Sequence, residues 1–329
     1  MTDRLLSRSR RRFGTALAGF ALAAGLASPA AAAYPESPVT IVVGWKAGGG
    51  TDLVARYIAD HVSRETGAEV VVENRPGAGS MIAAEQIANA EADGTTLMFA
   101  TADSHTLAPL LRSDVPYDPM ADFTPVYLAA TLSFSLMSRP DLGAESVEDV
   151  VELSKDGGLT LGTWGVGSTA HIAMEMFAQA TDAELVHVPY QGSAPAINDL
   201  QNGQIDLMFL GPGTATQNVE DGTMSFVAAA SPERIGLAPD IETFAEQGVD
   251  GVEMQTWFGL FGPAGLPEEA VSFWTERMDA LMEVEEFTDL LEQRGMDAVG
   301  TDAAGLTAYM NEQSARLGEV IDAAGIALE

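Results

Sequence analysis

Two glycine-rich stretches hold the residues whose types and spacing have the clearest chemical use. The first is Ala47, Gly48, Gly49 and Gly50, followed by Thr51 and Asp52. The second is Gly165, Val166, Gly167, Ser168, Thr169 and Ala170, with His171 just behind. Each reads as the turn between a strand and a helix. The first N–H groups of a helix have no carbonyl partners and converge on one spot, where a carboxylate or phosphate is favoured. Lys46, one of two lysines in the chain, precedes the first stretch. It either stands on the surface or adds a charge-assisted contact to a ligand carboxylate. Trp45 either walls a pocket or packs at a hinge, and His171 either packs in its helix or reaches a ligand. Tyr190, Gln191 and Gly192 follow a later strand and are placed to close over a ligand from the opposite side.

Other chemistries find little support. Gly165, Gly167 and Ala170 fit the dinucleotide pattern G-x-G-x-x-A. The next strand, however, ends Val188, Pro189, Tyr190, Gln191, with no acid to hold a ribose hydroxyl. There is no G-x-S-x-G elbow, no H-E-x-x-H and no G-x-x-x-x-G-K-[ST]. The four histidines, His61, His105, His171 and His187, lack metal-ligand spacing. Ser104 and His105 are adjacent, but sequence neighbours rarely form a nucleophile and its base. In a rim loop they serve as ligand contacts or as plain loop structure. No catalytic residue, metal or cofactor is expected.

The elements that must position these residues follow a β/α rhythm. Residues 39–43 are an apolar β-branched run, and Leu53, Tyr57, Ile58 and Val62 recur behind it at helical spacing. Strands at 69–74 and 96–101 with a helix from Ser80 between them imply a mostly parallel sheet covered by helices. Ligands in such sheets bind beyond the carboxyl ends of the strands, so Ser80, Thr101 and Ser104 join the first glycine loop on one edge. Extended segments at 126–130 and 134–138 lead into a second series: a capping box at Ser146, strands at 159–162, 184–188, 205–210 and 225–230, and helices at 168–180 and 195–202. Residues 255–261 return, and the rest is mostly helical, with a short piece at 297–300. The fold class is therefore α/β with two lobes. Residues 34–134 and 257–329 are expected to form the first lobe, and residues 135–256 the second. A cleft between lobes is where hinge closure acts on a small ligand.

The first 33 residues carry an export signature: a basic head of Arg4, Arg8, Arg10, Arg11 and Arg12, an Ala/Gly/Leu-rich run, and an alanine string with a cleavage site near residue 33. An ordinary secretory signal and a twin-arginine signal both fit. The chain contains no cysteine, so neither a disulfide nor a lipid-modified cysteine is available. A monomer, exported and soluble in the periplasm, is expected. Of 16 basic and 48 acidic residues the leader holds five arginines and one aspartate; what remains is 11 basic and 47 acidic, a net charge of −36. Such a surface repels nucleic acid and anionic lipid. Attraction of an anionic ligand must be local.

These residues resemble the periplasmic substrate-binding receptors of tripartite tricarboxylate transporters, the Bug family. The resemblance rests on A-G-G-x-x-D at residues 47–52, E-N-R-P-G-A-G at 73–79 and D-G-x-T-L at 93–97. It continues through P-Y-D-P leading to D-F-x-P-V at 116–126, the glycine-serine loop with its histidine at 165–171, P-Y-x-G at 189–192, and G-Q-x-D at 203–206, which ends on Asp206. It implies a Venus-flytrap fold of the type II periplasmic-binding-protein class, without catalysis, that hands a small organic carboxylate to a membrane permease. In that family the first loop and the glycine-serine loop face each other. Carried over, Ala47, Gly48, Gly49, Gly50 and Thr51 would oppose Gly167, Ser168 and Thr169 across a carboxylate, which backbone groups and ordered water hold. Two departures stand out. Gly44, Trp45 and Lys46 replace the usual proline-and-aromatic approach, and Gln191 stands where the family often has lysine.

A solute-binding receptor for a di- or tricarboxylate, an aromatic carboxylate or an acidic amino acid is thus the leading reading. A periplasmic α/β enzyme acting on a carboxylate, and a ligand-sensing subunit for a membrane sensor, are its alternatives. Turnover of a ligand, or a gene neighbourhood without permease genes, would favour one or the other.

Overall fold

The computed structural model describes residues 34–324. The export leader expected at residues 1–33 lies outside them. The β-branched run forms β1 (Val39–Val43), and the glycine loop after it feeds α1 (Gly50–Thr66). β2 (Val70–Asn74), α2 (Met81–Ala88) and β3 (Thr96–Thr101) complete a parallel trio in the order β2-β1-β3. Ser80 precedes α2 but does not cap it with its side chain.

Residues 101–105 are not a rim loop. After β3 the chain coils into a wide helical turn over residues 103–107 and a short α3 (Ala108–Leu111). Ser104 and His105 are buried. The cause is a cage of rings. The His105 ring lies 4.5 Å from both Phe123 and Phe261, with Tyr117 and Trp257 near 6.3 and 6.2 Å. Its Nδ1 is 2.9 Å from the Ser104 hydroxyl, and its Nε2 is buried without a partner.

Burial pushes the His105 pKa down to about 3. Unfolded, the same group titrates near its ordinary value of 6.5. The unfolded state therefore binds more protons as pH falls below 6.5, and folding is weakened on the acid side. Between pH 6.5 and 5 this amounts to about 2 kcal/mol. The expected result is a melting temperature that falls over that window and falls less in His105→Phe, measured by circular dichroism. Equal acid sensitivity in both proteins would remove His105 as the cause.

β4 (Phe123–Ser138) is the longest strand. The two extended pieces expected at 126–130 and 134–138 are one element. Thr131, Leu132 and Ser133 are held straight by pairing with Trp257, Thr256 and Gln255. The chain then builds α4 (Val147–Ser154), β5 (Leu159–Thr163), α5 (Thr169–Thr181), β6 (Leu185–Pro189), α6 (Ser193–Gln201), β7 (Leu207–Leu210), α7 (Pro212–Glu220) and β8 (Ser225–Ala230). It returns through β9 (Gln255–Pro263), α8 (Glu268–Met282), α9 (Glu285–Gln293), β10 (Met296–Asp302) and α10 (Ala303–Ala324).

The strands run β2-β1-β3-β9-β4-β7-β5-β6, with β8 and β10 also on β4. The first part of β4, to Ser133, pairs with β9 and β10. From Phe134 it pairs with β8 and from Ser135 with β7. So β4 is shared between two lobes. The first buries Ile41, Phe99 and Leu260 under α1 and α8, and the second buries Leu161 and Phe209 together with Phe177 of α5. No helix among the described residues is long and apolar enough to cross a membrane.

Candidate functional site

A cleft with about 820 Å³ of space, part of it open solvent, lies between the lobes, beyond the carboxyl ends of β1, β3, β5, β6 and β7. Three helices begin at its wall. α1 presents Gly49, Gly50 and Thr51; α6 presents Gly192, Ser193 and Ala194; α7 presents Gly211 and Thr214. The first two face each other closely: a Cβ built on Gly49 would stand 3.6 Å from the Ser193 hydroxyl oxygen. Each N-terminus carries roughly half a positive charge and unpaired N–H groups. Apolar walls come from Trp45, Trp164, Phe134 and Phe258. The indole N–H of Trp45 points to the Thr101 hydroxyl at 3.4 Å.

Two full charges add to these partial ones. Of the 11 basic residues in the described part, Arg56, Arg64, Arg75, Arg112, Arg139, Lys155 and Arg234 pair with carboxylates. Arg316 donates to Gln313, and Arg277 lies over the Phe273 ring. Among the described residues, the side chains of Lys46 and Arg294 have no such partner, and both line the cleft. In a protein with 47 acids after the leader, two cations at one cleft without a side-chain partner mark where negative charge is wanted.

The residues singled out by sequence fall into two groups. Trp45, Lys46, Gly49, Gly50, Thr51, Thr101 and Gly192 line the cleft. The rest stand behind it or apart from it. Gly48, next to Ala47, donates its N–H to the Asp52 carboxylate at 2.9 Å, and Asp52 is buried in the first turn of α1. Ser80 packs under Gly44, its hydroxyl buried without a partner. Ser104 lies in the aromatic cage with His105.

At the start of α5, Ser168 accepts from the His171 N–H and donates to the Gly165 carbonyl at 2.7 Å. The Gly167 N–H donates to Nδ1 of His171 at 3.1 Å. The Thr169 N–H and hydroxyl both donate to Asp103. His171 stacks on His187 with ring centroids 4.0 Å apart. Burial, then the neighbouring His171, brings the His187 pKa down to about 4. The Tyr190 hydroxyl donates to Asp199, Gln191 is exposed, and Asp206 is tied to Arg139 and Thr160.

Several lining residues escape a reading of the sequence: Asp103, Arg294, Ser193 and Thr214 above all. Gly211-Pro212 looks like loop, yet it is the N-cap and first residue of a helix. That placement of proline is itself a start signal. Arg294 carries no local signal, because it reaches the cleft from the far end of the chain.

No group of three or more acidic or histidine side chains among the described residues is placed to hold a metal ion. What the cleft can do is hold an anion against apolar walls.

The comparisons with known proteins point the same way. A family model described as the tripartite tricarboxylate transporter family receptor, TctC, matches residues 54–326. A protein from the tcbD–tcbE intergenic region of Pseudomonas sp. (strain P51) is 32% identical over 302 residues, which is 90% of this chain and 89% of that one. The periplasmic binding protein BugD is 31% identical, with a TM-score of 0.85 over 90% of this chain and 100% of that one. Rpa4515 of R. palustris, solved with adipate, is 32% identical, with a TM-score of 0.85 over 89% of this chain and 99% of that one. MatC of Rhodopseudomonas palustris, solved with bound malate, is 27% identical, with a TM-score of 0.83 over 88% of this chain and 100% of that one. The chain belongs to the TctC receptor family of tripartite tricarboxylate transporters, whose Bug-named members are periplasmic binding proteins.

Proposed function

We propose that this protein is an extracytoplasmic solute receptor that captures a small organic carboxylate in the cleft and delivers it to the membrane permease of a tripartite tricarboxylate transporter. One observation carries the reading: two cations whose side chains have neither an acid, an amide nor a ring as partner, Lys46 and Arg294, both line a cleft onto which three helix N-termini open. Relatives solved with adipate and malate support the ligand class. Residues 34–134 and 257–329 would move against residues 135–256, bending where β4 and β9 run between the lobes. The acidic surface opposes an incoming anion, so salt should help rather than hinder capture.

Calorimetric titration with adipate, malate, an aromatic carboxylate and an acidic amino acid tests this. At least one should bind, and its affinity should hold or rise between low and high salt. No heat from any of them would sink the reading.

Lys46→Ala is expected to weaken the best ligand about tenfold. A charge-assisted hydrogen bond contributes about 1.5–3 kcal/mol, and 1.4 kcal/mol is a factor of ten. Unchanged affinity would make Lys46 an ordinary surface cation.

A further inference from the structure

Asp103 stands in the helical turn after β3, in the first lobe, and is only 4% exposed. Its carboxylate meets four donors. The Thr169 N–H and hydroxyl reach Oδ1 at 2.6 and 2.9 Å, and the Trp164 indole N–H reaches the same oxygen at 3.2 Å. The Thr101 hydroxyl donates to Oδ2 at 2.9 Å. Thr169 opens α5, and Trp164 follows β5, so both belong to the second lobe. Away from the β4–β9 crossing, where Gln255 donates to Ser133, and Gln179 aside, the side-chain hydrogen bonds between lobes among the described residues end on Asp103. Asp103 also lines the cleft.

The N-terminus of α5 is thus an anion seat with a tenant supplied by the chain itself. A ligand carboxylate would need the same Thr169 donors, and two carboxylates cannot share them without strong repulsion. The tethered carboxylate has the further advantage that it loses no translational freedom on binding. The other three helix N-termini and both unpaired cations remain open to a ligand.

We infer that Asp103 is a specificity-determining residue. Its carboxylate fills the α5 seat, so this receptor takes mono- and dicarboxylates through Lys46, Arg294 and the starts of α1, α6 and α7, and turns away tricarboxylates, whose third acid group would lie beside Asp103. This rests on the carboxylate reading of the cleft.

The test pairs glutarate with tricarballylate, which is glutarate carrying one more carboxylate on its central carbon. The wild-type protein should prefer glutarate, and Asp103→Ala should shift the ratio of the two dissociation constants at least tenfold toward tricarballylate. In ¹⁵N-labelled protein the Thr169 amide signal should move with added acetate in Asp103→Ala and stay fixed in the wild type. An unchanged ratio in folded Asp103→Ala, or a wild-type Thr169 amide that titrates with acetate, would overturn the inference. Should the alanine variant fail to fold, Asp103→Asn keeps the shape without the charge and should shift the ratio the same way by a few-fold; no shift there would also overturn it. A wild-type protein that binds neither diacid nor triacid would count against the carboxylate reading alone, because the acetate titration of Thr169 does not depend on it.

Discussion

Gly213→Ala is expected to leave the protein folded and to weaken carboxylate binding about a hundredfold. Gly213 lies in the first turn of α7, in the second lobe. A Cβ built there would fall onto the backbone of Gln293 and Arg294, in the first lobe. A flexible side chain could move aside, but the backbone at a helix end cannot give way as cheaply. The approach is mutual. Gly295 has φ +70°, and a Cβ on it would stand 2.7 Å from the Gly213 nitrogen. Two glycines thus let the start of α7 press against the end of α9. Alanine suits α7 itself, so the strain falls on this contact between the lobes and not on either lobe alone. If ligand is held in this arrangement of the lobes, a penalty of about 3 kcal/mol on it lowers apparent affinity about a hundredfold. Arg294 is at that contact, so the same change displaces a cation from the cleft wall. Calorimetric titration measures the loss, and thermal melting without ligand checks the fold. Wild-type affinity in the variant would show that binding does not require this contact.

Asp52→Ala is expected to cost about 3 kcal/mol of stability. The side chain of Asp52 is 3% exposed. Oδ2 accepts from the Gly48 N–H at 2.9 Å and from Nε of Arg56 at 3.0 Å. Oδ1 accepts from Nδ2 of Asn74 at 2.8 Å, and an Arg56 terminal nitrogen lies 2.9 Å away. Asn74 also donates to the Trp45 carbonyl at 2.9 Å. One carboxylate therefore ties the cleft loop to α1 and to the end of β2. Burial by itself would raise its pKa, but the bonds from Arg56, Gly48 and Asn74 outweigh burial and hold it below the ordinary value. A lowered carboxyl pKa means stability that is present at neutral pH and is lost as pH falls through the folded value.

Removing the acid leaves Arg56 and Asn74 without their acceptor, which is costlier than never having had the pair. Arg56 is half exposed and can find water, which keeps the figure near 3 rather than 5 kcal/mol. The melting temperature should drop by about 8 °C. A drop under 2 °C would show that the loop holds its shape without Asp52.

Much of the fold was legible where a single segment decides its own state. β1, β3 and β8 begin and end where apolar runs and turn residues put them. Where a neighbour decides, the reading went astray. Thr131, Leu132 and Ser133 look like a break, and only the partner strand β9 keeps them extended. Ser104 and His105 look like loop, and only four aromatic rings from distant segments explain their burial.

The cleft divides in the same manner. A glycine loop announces itself, as residues 47–50 did. Which helix N-terminus faces which is a matter of lobe geometry, and α6 and α7 open on the cleft alongside α1. Asp103 is a single acid among 47 after the leader, and nothing in its neighbours distinguishes it from the surface ones. Its role appears only when Thr169, 66 residues away, is brought against it.

The sharing of β4 has a consequence for how the molecule comes apart. One run of sixteen residues pairs with first-lobe strands up to Ser133 and with second-lobe strands from Phe134. There is no seam at which to cut the molecule into two independently folding pieces, since either fragment would lose an interior strand and expose a raw edge. Melting should therefore proceed as one cooperative event, with the strand that joins the lobes also serving as the keel of the fold.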